Sequence, residues 1–150
     1  MSEMLGNFYF HQRKFLSAQK QLECSIQNNP SDLAKKKLII CYTQSGLIDK
    51  SLELLYELIK KDIRLIASHS IKDENCPCKE LIYEIENSSN FSVENYKYAT
   101  VLGILWSYCD IKKSNEYFLK AIELNHNNLI LKKVNEIISN YLIHYSYNKS

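Results

Sequence analysis

The chain is predicted to be all-α, built from antiparallel helix–turn–helix units, and three observations predict it. Breakers are scarce: the 150 residues include three glycines and two prolines, too few for the many tight turns of a strand-rich fold. Long stretches of Leu, Ile, Lys, Glu and Asn carry apolar residues at helical spacing. A set of offsets also recurs three times. Nine positions after an aromatic or Leu anchor (Tyr9, Tyr42, Leu105) stands a small residue: Ala18, Ser51 or Ser114. Four positions later comes Leu22, Leu55 or Phe118, and three after that Ser25, Leu58 or Ala121.

The elements follow in order. First helices are expected over 2–11, 32–44 and 93–107, and second helices over 15–28, 48–61 and 111–125. They give units of about 1–31, 32–63 and 95–128. Between the first two units, Pro30 stops a helix and Ser31 can cap the next by accepting from open backbone N–H groups. Gly46 supplies the positive φ that a tight helix–helix turn needs. In CDIKKSNEYFLKAIELNHNN, Ser114 and Ala121 lie about two turns apart on one face. A bulky residue there would hold a partner helix off, so the pattern implies a close crossing, with Phe118 filling the gap between the small positions.

The segment 64–94 breaks the pattern. Within it a helix is expected near 77–87, with Leu81, Ile82 and Ile85 apolar and Pro77 in its first turn. A shorter helix is expected near 63–69, and Ser92 is expected to cap the helix that follows. A long final helix over 129–148 carries Leu131, Val134, Ile138, Tyr141 and Tyr145 at helical spacing, widened by Ile137 and Leu142. Such a stripe either covers the bare end of a helical array or, being broad, joins two copies into a homo-oligomer.

These offsets resemble the tetratricopeptide repeat, whose unit of about 34 residues places aromatic or Leu, small, aromatic and Pro positions at such intervals. DIKKSNEYFLKAIELNHNN and QRKFLSAQKQLECSIQNNPSD carry the likeness best, and it covers Met1–Ile63 and about Asn95–Asn128. The chain departs from the family at Leu58, where a small residue is usual, at His126 in the Pro position, and in lacking the opening of the first unit. The resemblance implies a tetratricopeptide-like (TPR-like) α-solenoid of about three repeats in one domain spanning 1–150. Its first helices would line a concave groove for an extended or helical peptide. It places at that groove Asn7, Phe10 and His11; then Lys36, Ile40, Thr43 and Gln44; then Tyr96, Ala99, Gly103 and Trp106. Phe10, Tyr96, Trp106 and Lys36 are the main contacts expected, with burial of Phe10 and Trp106 inside the chain as the competing outcome. Of the family's Lys, Asn and Arg carboxylate clamp only Asn7 has a counterpart, so chaperone C-terminal tails are not an expected ligand.

The remaining features narrow the function class. A net charge of +2 does not imply a polyanion, so nucleic acid is not expected, although RNA binding by a related helical repeat stays as an alternative. MSEMLGNFYF lacks a secretory pattern, and no apolar run approaches the roughly 20 residues of a membrane span. Five scattered cysteines, with Cys24 and Cys41 expected on apolar helix faces, imply a reducing, cytoplasmic setting. Cys76 and Cys78, with His69 and Cys109 as further donors, have the wrong spacing for structural zinc, so no metal is expected. A redox-active thiol pair at a helix N-terminus is the alternative for these two. His11, His69, His126 and His144 have no nucleophile or carboxylate at a catalytic spacing. Lys35, Lys36, Lys37, Lys112 and Lys113 fit solvated faces or a contact with an acidic peptide. No phosphate loop, nucleophile elbow or HExxH occurs. The expectation is a non-catalytic protein–protein interaction module, a scaffold or adaptor without a cofactor.

Overall fold

The computed structural model describes residues 2–67, 77–92 and 94–149, with side chains through His144. Among these residues there are nine helices and no strand, so the chain is all-α. They are α1 (Ser2–His11), α2 (Phe15–Asn28), α3 (Asp32–Gln44), α4 (Ile48–Asp62), α5 (Arg64–Ala67), α6 (Cys78–Glu86), α7 (Tyr96–Trp106), α8 (Ile111–Leu124) and α9 (Leu129–Lys149).

Local chemistry sets most of these boundaries. The Ser31 hydroxyl accepts from the Ala34 N–H at 3.2 Å and starts α3. Asp110 starts α8 by accepting from the Lys112 N–H at 3.1 Å. Gly46 sits at φ 80° in the α3–α4 turn, as expected. In the α1–α2 turn the left-handed position falls instead on Arg13, at φ 61°. Two expectations are corrected. Asn95, not Ser92, caps α7, accepting from the Lys97 N–H at 2.9 Å, while Ser92 closes the preceding turn by accepting from Glu94. Helix α7 therefore begins three residues later than the sequence implied. Pro77 stands one position before α6, as its N-cap residue.

Three hairpins, α1–α2, α3–α4 and α7–α8, pack through the small residues that define the repeat. Ala18, Ser51 and Ser114 are fully buried. The Ser51 hydroxyl donates to the Ile39 carbonyl at 2.9 Å, and Ser114 donates to the Gly103 carbonyl at 2.6 Å. A hydroxyl on so short a side chain reaches a carbonyl of the paired helix only where the two backbones come close. Glycine makes the same approach from the other side. A Cβ on Gly6 would stand 2.8 Å from Leu22, and one on Gly103 would stand 2.7 Å from the Phe118 ring.

The third hairpin is reversed relative to the second. Tyr108, just past the end of α7, donates its hydroxyl to the carbonyl of Lys36 near the start of α3. At the opposite end, Thr43 and Gln44 of α3 share a cleft with Asn95, Tyr98 and Val101 at the start of α7. The two helices thus run in opposite directions, unlike the uniform stacking that the family resemblance implies. Between the two hairpins lie α5, which packs on α4, and α6, which packs on α7 and buries Leu81 and Ile82. Helix α9 then packs on both α8 and α4, so α4, α7, α8 and α9 close into a ring of contacts. Its residues Leu131, Val134 and Ile138 are buried inside the chain, and Asn135 donates to Asn115 of α8 at 2.6 Å.

Candidate functional site

The residues expected at one groove are dispersed by this reversal. Phe10 is buried in the core against Phe15, with ring centroids 5.8 Å apart. Asn7 accepts from Lys37, not Lys36, at 2.8 Å, and the Lys37 ammonium lies 5.9 Å from the Phe10 ring centroid. The cation beside Asn7 and Phe10 is therefore Lys37, one position along α3 from Lys36. Lys36 contributes its carbonyl to Tyr108. His11 is exposed at the end of α1. Ile40 is buried, and Gly103 belongs to the α7–α8 crossing, not to a groove. Thr43 is buried and donates to the Ile40 carbonyl; exposed Gln44 donates to the Thr43 hydroxyl. Thr43 and Gln44 line a cleft of about 360 Å³ with Ile85, Lys97 and Tyr98. The Tyr96 hydroxyl accepts from Asn128 at 2.6 Å, tying the start of α7 to the start of α9.

Trp106 lies elsewhere, in a cleft of about 410 Å³ along α7 and α8. Ala99, Leu102 and Trp106 of α7 recur at helical spacing and form one wall. Lys113, Glu116, Tyr117 and Lys120 of α8 form the other, and Glu86 and Phe91 close an end. Tyr117 donates to Glu86 at 3.3 Å, and burial together with that carboxylate pushes the Tyr117 phenol up. Lys120 pairs with Glu94 at 3.2 Å and Glu123 at 3.8 Å. The Lys113 ammonium stands 4.4 Å from the Trp106 ring centroid, a cation–π contact, and forms no ion pair among the described residues. The Trp106 indole N–H is buried, and among the described residues it is the one buried side-chain polar group without a hydrogen-bond partner.

Of the residues singled out at the groove, Trp106 and Ala99 alone reach this cleft. Phe91, Tyr117 and Lys120 were missed, and Lys113 was named only as a lysine of a solvated face or an acidic-peptide contact, not at the groove. A signal for three of them existed: Lys113, Tyr117 and Lys120 each stand one position before a packing residue of α8, namely Ser114, Phe118 and Ala121. That places them along the edge of the α7–α8 seam.

The cysteines divide differently from the expectation. Cys41 is buried, and burial pushes its thiol up to about 12. Cys24 is exposed, because two residues beyond buried Leu22 is about 200° around a helix. Cys78 is buried and Cys109 half-buried. Cys76 and His69 lie outside the described residues, so the thiol pair and its metal alternative do too. Among the described residues no group of His, Cys, Asp and Glu is arranged to hold a metal ion, and no helix is long and apolar enough to cross a membrane. His126 and His144 are exposed.

Comparisons with protein-family models, curated proteins and solved structures return no match.

Proposed function

We propose that the chain is a non-catalytic interaction module, a scaffold or adaptor that holds a segment of a partner protein in the Trp106 cleft. One observation carries this reading: the half-exposed Trp106 lies in an open cleft beside Phe91, Ala99, Leu102 and Tyr117, with Glu86, Lys113, Glu116 and Lys120 also lining it. Aromatic anchors in such clefts supply most of the affinity of peptide-binding surfaces. We retain the tetratricopeptide likeness for α1–α4, whose first helices α1 and α3 touch and whose small residues are in register. The free thiols fit a reducing, cytoplasmic setting.

The test is selection from a random displayed-peptide library against the folded chain. Enriched peptides should lose about tenfold or more in affinity when Phe91 or Tyr117 is replaced by Ala, with helicity unchanged. A selection that enriches nothing, or peptides indifferent to both substitutions, would contradict the proposal.

A further inference from the structure

We infer that α1 is a docking face for a second copy of this chain. Met4, Leu5 and Phe8 of one copy pack antiparallel on the same residues of another across a two-fold axis. The inference goes beyond the module reading and does not depend on it. No described residue of α1 lines the Trp106 cleft, so a pair of chains carries two clefts, one from each copy.

Met4, Leu5 and Phe8 are 76%, 40% and 54% exposed, the densest group of exposed apolar side chains among the described residues. The others stand on separate elements or, in α9, far apart. The three lie within about 100° of arc on α1, opposite the side that meets α2 and α3 through Gly6, Asn7 and Phe10. The repeat shows what such positions do inside the array. Tyr9 corresponds to Tyr42, so Leu5 and Phe8 correspond to Leu38 and Cys41. Both are fully buried, on the side of α3 that meets the first hairpin through Lys37 and Tyr42. Thus α1 leaves open a face of the kind that α3 uses for packing. A further hairpin stacked in the same register does not fit it, because bulky Phe8 stands where α3 offers the small thiol of Cys41. A two-fold pair needs no small residue there: antiparallel α1 helices place Phe8 of each copy beside Met4 and Leu5 of the other. Charge complementarity favours the second copy. A charge near the centre of a two-fold contact meets its own kind, and this face has none. His11 and Gln12 extend it without a carboxylate, ammonium or guanidinium. At its ends, antiparallel packing brings Arg13 and Lys14 of each copy toward the end of the other that carries Glu3, and opposes the two helix dipoles. Three side chains on one helix fall well short of the roughly 800 Å² per partner of a standard interface, so pairing is weak and rises with concentration.

Sedimentation equilibrium of the full chain is the test. Between about 10 μM and about 1 mM the average mass should rise from 17.6 kDa toward twice that value. Phe8→Glu and Met4→Lys replace exposed side chains and should each weaken pairing at least about tenfold, with helicity and unfolding midpoint retained. An equimolar mixture of the two variants should pair again, because the introduced carboxylate then faces the introduced ammonium and one Met4–Phe8 contact survives. A mass that stays at one copy up to the highest concentration overturns the inference. So does a chain that is monomeric alone but sediments with phosphatidylcholine vesicles or an unrelated apolar helix. Pairing unchanged by both substitutions also overturns it, as does pairing abolished by Ile143→Asp, which assigns the contact to α9. A mixture of the two folded variants that stays monomeric removes the antiparallel arrangement and the inference with it.

Discussion

Gly103 and Phe118 decide how closely α7 and α8 can approach. An added methyl on Gly103 would fall 2.7 Å from a ring that is fully buried and has no room to retreat. Gly103→Ala is expected to destabilise the fold by about 1–3 kcal/mol by overpacking, in spite of a gain of about 1 kcal/mol in helix propensity. Denaturant unfolding of the two proteins checks this. The turns offer a contrast. Gly46 has open space around it but a φ of 80°, so Gly46→Ala costs backbone strain alone, about 1–2 kcal/mol. Arg13 occupies the equivalent left-handed position, where glycine would be relaxed, and its guanidinium pairs with Glu80 and Glu84 of α6. At high ionic strength, where these exposed pairs are screened, Arg13→Gly should raise unfolding stability by about 1 kcal/mol. A loss of stability under those conditions would show that Arg13 is not strained.

Among the elements, α9 covers α4 and α8 with the very stripe that could have joined two copies. Ile138→Ala should therefore cost about 2–4 kcal/mol in a monomer, measured by thermal or urea unfolding. Ile143, on the exposed side of the same helix, should tolerate Asp within about 0.5 kcal/mol. Light scattering on Ile143→Asp then addresses self-association: a fall in oligomeric mass would favour assembly through α9 over the module reading. The six helices of the three hairpins were legible because each carries a repeat anchor or a recognisable turn residue, such as Ser31 or Gly46. That α7 runs against α3 was not legible. Leu81, Ile82 and Ile85 mark α6 as a helix, but periodicity carries no sign of direction.

For the whole molecule, that reversal separates residues that a uniform stack would have aligned. Asn7 and Phe10 join Lys37, Thr43 and Gln44 enter a second cleft, and Tyr96 is held by Asn128, while Trp106 lies along the α7–α8 seam. The site was legible only as an aromatic residue worth noticing. Its other walls depend on the order in which helices pack. The core also sets a limit in alkali. Cys41 is fully buried and its thiol is raised from an ordinary 9.0 to about 12; Tyr42, also buried and donating to Glu23, is shifted in the same direction. Each group is neutral in the fold but ionises more readily once unfolded. Stability is therefore intact below pH 9 and is lost as pH rises from about 9 toward 12, at up to about 1.4 kcal/mol per unit for Cys41. Cys41→Ala should flatten that slope in pH-dependent unfolding, whatever its effect at neutral pH. The cleft itself is tested most directly by nuclear magnetic resonance. A single tryptophan gives a single indole N–H signal. Titration with a peptide enriched by library selection should move that signal to a saturating new position. A signal that stays in place while backbone amides elsewhere respond would contradict the assignment of the Trp106 cleft as the binding site.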